Sequence, residues 1–109
     1  MDFKNYHSVT TFHRYLECLN REHHDKVSVF DIGRSTEGRP LKVIKIGRSN
    51  GQVKPAIWID GGIHAREWVS PATVLYLIHQ FVENFGASEN QLIVDQLDMY
   101  ILPSANPDG

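Results

Sequence analysis

An α/β fold is predicted, built on a partial mixed sheet in which an antiparallel hairpin joins parallel strands, with helices packed on it. Two short β-rich runs at residues 27–32 and 41–46 flank a segment rich in Gly, Ser and Pro, Gly33-Arg34-Ser35-Thr36-Glu37-Gly38-Arg39-Pro40; this is the pattern of a hairpin. A continuous apolar run at 55–59 precedes a long apolar helical pattern, and another β-rich run follows at 99–102. Strand, helix, strand in that order implies a parallel pair with a right-handed crossover. With 109 residues, one domain is the ceiling, and a chain this long buries a modest core only.

The first element is an amphipathic helix over 8–22. Ser8 is its N-cap, Val9, Phe12, Leu16 and Leu19 follow helical spacing, and the polar run from Asn20 to Lys26 ends it. The hairpin comes next. The run at 55–59, PAIWI, lacks polar alternation, so a central strand covered on both faces is expected there. The helix after it is expected to start with Ser70 as N-cap and Pro71 at the first helical position. Its ladder Val74, Leu75, Ile78, Val82, Phe85 runs to Gly86 as terminator, and being apolar almost all round it should be buried against the sheet. A short amphipathic piece at 91–97 and a strand at 99–102, ended by Pro103, complete the order.

Composition removes several function classes. Eleven Lys+Arg stand against 13 Asp+Glu, for a formal net charge of −2, and no basic stripe offers a nucleic-acid footprint. The longest apolar stretch falls far short of the roughly 20 residues that a membrane-spanning helix needs. Cys18, alone in the sequence, has no internal disulfide partner and is expected to pack as a small hydrophobe. The first residues, MDFKNYHSVTTF, have neither a signal-peptide nor a transit-peptide pattern.

Chemistry concentrates between the run at 55–59 and the long helix, in Asp60-Gly61-Gly62-Ile63-His64-Ala65-Arg66-Glu67-Trp68. In an open α/β sheet, ligands bind outside the carboxyl ends of central strands. His64 and Glu67, three residues apart, can converge an imidazole nitrogen and a carboxylate on one metal ion. That pairing suits zinc, whose hydrolytic sites use three protein ligands and leave a position for water. The spacing alone also fits a loop histidine satisfied by backbone and a first-turn glutamate favouring the helix N-terminus. Trp68 reads as packing, His23 and His24 as solvated, His79 as structural, and Asn106-Pro107-Asp108-Gly109 as a turn without chemistry.

The wider context, DGGIHAREWVSPAT with ILPSANPDG some forty residues later, resembles the zinc metallocarboxypeptidases of the carboxypeptidase A and B type. The resemblance runs over essentially the whole chain, including the STEGRP turn. It implies that His64 and Glu67 are the first two zinc ligands and that Arg66 contacts substrate, a peptide or protein C-terminus. The fold it implies is about half or less of a three-layer α/β/α catalytic domain, so residues 1–109 read as an incomplete amino-terminal portion. No general base is assigned within the chain, and the third zinc ligand and the carboxylate clamp match positions past Gly109. The expectation is therefore a chain inactive by itself, with an unpaired strand edge and an exposed helix face. Extracellular location and a possible propeptide also follow from the resemblance alone. The alternatives are a non-catalytic truncated binding or regulatory form of the fold, and a related zinc N-acyl amino-acid deacylase.

Overall fold

The computed structural model describes residues 8–48, 54–63, 69–83, 93 and 95–108. Its elements are α1 (Val9–Glu22), β1 (Val27–Arg34), β2 (Pro40–Ile46), β3 (Ala56–Asp60), α2 (Val69–Val82) and β4 (Asp98–Leu102).

Helix α1 starts where its cap residue predicts. Ser8 is extended, at φ −74° and ψ 161°, and its Oγ accepts from the Thr11 amide at 3.3 Å; losing such a cap costs about 1 kcal/mol. At the other end the His23 amide donates to the Leu19 carbonyl at 2.8 Å. Phe12, Tyr15, Leu16 and Leu19 form the buried face, as 3.6-residue periodicity requires. Half-buried Cys18 places its Sγ 3.5 Å from Glu22 Oε1.

The four strands lie in the order β1-β2-β4-β3. Pairs β1–β2 and β2–β4 are antiparallel and β3–β4 is parallel, so the mixed sheet and its parallel pair joined through α2 are as expected. Register explains the core. Val29 lies opposite Ile44, Ile44 opposite Ile101, and Ile101 opposite Ile59, while Val27, Ile46 and Met99 form the next row. Residues directly opposite share a face, so both rows point the same way. The buried faces of α1 and α2 join them in one cluster. Lys42 ties α1 to this side of the sheet, its Nζ donating to Glu17 Oε1 and Asp31 Oδ1 at 3.1 Å each.

Three expectations need correction. The run at 55–59 is not covered on both faces: β3 is an edge strand of this sheet, with Ile57 41% and Trp58 50% exposed. Its apolar letters record which side chains face each way, not what lies against them. Ser70 is not an N-cap, because α2 already includes Val69; Ser70 instead accepts the Gly62 amide on its Oγ at 3.1 Å. Helix α2 buries Val74, Leu75, Ile78 and Val82 but leaves Val69 and Tyr76 exposed, so it is covered along one stripe only. Phe85 and Gly86 lie outside the described residues. Of the short piece at 91–97, residues 93, 95 and 96 are helical and the Leu97 amide donates to the Ile93 carbonyl at 2.9 Å.

The second face of the sheet carries Phe30, Lys45, Tyr100 and Trp58. Phe30 meets Tyr100 edge-on with ring centroids 6.5 Å apart, and Lys45 Nζ stands 5.7 Å from the Tyr100 ring centre. With exposed aromatic side chains beside a β3 edge that pairs with no other strand among the described residues, the isolated chain should self-associate. Sedimentation velocity is expected to show concentration-dependent association that Trp58→Lys reduces, since a charge there blocks both stacking and edge pairing. A monodisperse wild-type chain at every concentration would contradict this.

Candidate functional site

The parallel pairing of β3 with β4 sets Asp60 opposite Leu102, so both strands deliver their following segments to the same end of the sheet. That end is where parallel strands place ligand sites. Segment 103–108 and the loop starting at Gly61 run side by side there. The Gly61 amide donates to the Leu102 carbonyl at 3.0 Å, Ala105 to the Gly61 carbonyl at 2.8 Å, and Asn106 to the Gly62 carbonyl at 3.1 Å. Asn106 adds its side chain, Nδ2 donating to the Ile63 carbonyl at 3.1 Å. A carbonyl only accepts, so the amide nitrogen must face it.

The loop also packs tightly on the start of α2. A Cβ on Gly61 would stand 2.8 Å from Val74 Cγ2 and 3.2 Å from the Ser70 carbonyl oxygen, so only glycine permits this approach. The chain thus leaves β3 pinned on two sides, by α2 through Ser70 and by segment 103–108, up to Ile63. His64, Arg66 and Glu67 come next in sequence and lie outside the described residues, together with Ala65 and Trp68. What the structure describes is the anchored residues on either side of them.

Sequence reasoning gave Asn106-Pro107-Asp108-Gly109 no role beyond a turn, and two of these side chains hold the site end together. Asp108 accepts from Ser35 Oγ at 2.7 Å, Arg39 Nη1 at 2.8 Å and the Glu37 amide at 3.0 Å, and Arg39 also pairs with Glu37. The hairpin turn is therefore fastened to the segment after β4. Spacing could not reveal this, since the partners lie about seventy residues apart. The Ser35 hydroxyl, with the Arg39 guanidinium and the Glu37 amide, holds the Asp108 carboxyl below the usual carboxylate range. A depressed folded-state pKa gives stability that is present above the unfolded value near 4 and lost as pH falls through the folded one. Urea titrations below pH 4 are expected to show a destabilisation that Asp108→Asn flattens. An unchanged acid limb in the variant would remove Asp108 from this account.

A second polar cluster lies at the other end of α2, a helix whose 14 residues span about 20 Å. Glu83 Oε2 accepts from the Tyr15 hydroxyl at 2.9 Å and contacts His79 Nδ1 at 2.6 Å. Burial alone would raise the Glu83 carboxyl, but these hydrogen bonds outweigh it and leave the group below its ordinary value. Ionised Glu83 only accepts, so His79 donates from Nδ1. Glu22, His23 and Glu83 bring donor atoms within 4.8 Å of one another. His79 is structural as expected; His23 is half-buried at the C-cap of α1 rather than fully solvated.

The sequence profile of the zinc carboxypeptidase family matches residues 12–109. Carboxypeptidase B of Astacus astacus is 41% identical over 109 residues, which cover 100% of this chain and 35% of that protein. Among solved structures, carboxypeptidase A from Helicoverpa armigera superposes with a TM-score of 0.91 at 36% identity, covering 100% of this chain and 26% of that one. Thrombin-activatable fibrinolysis inhibitor superposes with a TM-score of 0.92 at 34% identity, covering 97% of this chain and 27% of that one. The chain thus spans about a quarter to a third of the length of these relatives. A profile match over residues 12–109, joined to 41% identity with a carboxypeptidase B and TM-scores of 0.91 and 0.92 against these two solved structures, places the chain in the zinc carboxypeptidase family.

Proposed function

We propose that the chain contributes the first two zinc ligands, His64 and Glu67, and a substrate-contacting arginine, Arg66, to a metallocarboxypeptidase that hydrolyses the C-terminal peptide bond of peptides or proteins. The observation that carries this reading is the HAREW segment at the carboxyl end of β3, within a chain of zinc carboxypeptidase sequence. An imidazole nitrogen and a carboxylate oxygen are donors that fit zinc, and two of the usual three protein ligands are present. Zinc, when bound, supplies a Lewis acid for the scissile carbonyl and activates water as the nucleophile.

The chain's own residues then have separable tasks. His64 offers one ring nitrogen, and a hydrogen bond at its other nitrogen would fix the tautomer. Glu67 offers a carboxylate oxygen and lowers the net charge of the centre. Arg66 presents a planar guanidinium whose fork matches a substrate carboxylate or carbonyl, a geometry that lysine lacks. The general base and the third ligand belong to positions that the resemblance does not assign within 1–109. Residues 1–109 alone are accordingly proposed to bind zinc weakly and to leave peptides uncleaved. Extracellular location is proposed on the family resemblance, and no helix among the described residues is long and apolar enough to cross a membrane.

Equilibrium dialysis tests the ligand assignment. His64→Ala and Glu67→Gln are each expected to weaken zinc binding at least tenfold while the thermal midpoint moves little. Zinc binding unchanged in both variants would overturn it. In the protein that contains this chain, peptides with a free C-terminus should be trimmed and their amidated counterparts spared.

A further inference from the structure

We infer that Asn106 is a positioning residue for the loop that carries His64, and that Asp108 anchors it by fastening segment 103–108 to the hairpin turn. The inference rests on the proposed zinc reading of His64. It joins the two motifs that reading leaves unused, the STEGRP turn and the Asn-Pro-Asp-Gly turn.

The connection is continuous and made of short bonds. Ser35, Glu37 and Arg39 all converge on the Asp108 carboxylate. Two residues earlier, Asn106 holds Gly62 through its backbone amide and Ile63 through its side chain. Ile63 is the residue bonded to His64. Pro107, between these two polar residues, is buried, as are Pro103 and Ser104 just before them, and the two proline rings fix φ where the segment would otherwise bend.

A loop ligand is worth little to a metal centre unless its backbone is held, because every freedom it keeps must be lost on binding. The Gly61 and Gly62 carbonyls are bonded to Ala105 and Asn106 at 2.8 and 3.1 Å. The Ile63 carbonyl would go to water without the Asn106 amide. Ile63 itself is 54% exposed, so its side chain does not pack the loop in place. The polar contact does the holding, and it acts one peptide unit from the imidazole.

Two readouts separate this from general destabilisation. Amide hydrogen exchange at Gly61 and Gly62 reports the loop without any metal, and histidine ring signals followed through a Zn²⁺ titration report affinity at His64. Asn106→Ala, and Asn106→Asp, which keeps the shape but loses the amide donor, are expected to speed exchange at both glycines at least fivefold. They should weaken the dissociation constant read at His64 by a similar factor. Asp108→Asn should do the same more weakly. Val29→Ala, on β1 at the opposite edge of the sheet and partly buried against the core, is expected to lower the thermal midpoint with neither effect.

Unchanged glycine exchange in both Asn106 variants overturns the inference, whatever zinc does. Faster exchange with an unchanged dissociation constant at His64 shows a structural bond only, and overturns the positioning role. A wild-type His64 signal that does not respond to Zn²⁺ overturns the zinc reading and with it this role.

Discussion

Ile44→Ala should lower stability by about 2–5 kcal/mol, the usual cost of emptying a fully buried aliphatic site. Ile44 is 0% exposed and lies in β2, the strand that links the hairpin to the parallel pair, opposite Val29 on one side and Ile101 on the other. No other layer of the described structure can close the gap. A small domain holds only about 5–15 kcal/mol in total, so the variant should be largely unfolded in urea concentrations that leave the wild type intact. Ile57→Ala is the control: the same residue type on the same face of the sheet, but in the parallel edge strand β3 and 41% exposed, with an expected cost below about 1 kcal/mol. Equal urea midpoint shifts for the two variants would show that the core is not organised around β2.

The contrast between Ile44 and Ile57 also marks how far the sequence could be read. Elements whose signal is local were legible. Ser8 and the spacing of Phe12, Leu16 and Leu19 specify α1, and the Gly- and Pro-bearing turn specifies the hairpin. Strand, apolar helix, strand specifies the parallel pair, because a helix-length connection lets two strands run in the same direction side by side. Properties that depend on a distant neighbour were not legible. The run at 55–59 shows apolar side chains on both faces, yet the covering of a face belongs to other segments, and β3 lies at an edge. Ser70 has the composition of a cap, but the close approach of Gly61 to α2 turns its hydroxyl to the Gly62 amide instead. Within the candidate site the reverse held. His64 and Glu67 are candidates by their spacing and Arg66 by the family resemblance alone, whereas Asn106 and Asp108 become visible only once the fold sets them beside Ile63 and Ser35. A turn's composition says that the chain reverses there; it does not say what the freed side chains will grip.

Gly62→Ala should cost about 2–4 kcal/mol, with two physical contributions that a second glycine separates. Gly62 has φ +71°, and a Cβ there would lie 3.0 Å from the Pro103 carbonyl oxygen and 3.1 Å from Ser104 Cα. Both contacts are to backbone, so no rotamer change relieves them; segment 103–108 itself must move. Gly38, in the hairpin turn, has φ +82° and nothing within 4 Å of its would-be Cβ. Gly38→Ala therefore bears the left-handed backbone cost alone, about 1–2 kcal/mol. The excess of Gly62→Ala over Gly38→Ala in urea unfolding measures the close contact between the loop before His64 and the segment after β4. Because the displacement pulls on the bonds from Ala105 and Asn106, Gly62→Ala should also weaken Zn²⁺ binding at His64, and Gly38→Ala should leave it unchanged. Equal stability losses in the two variants would mean that segment 103–108 yields freely, and the loop would then have no rigid support from that side.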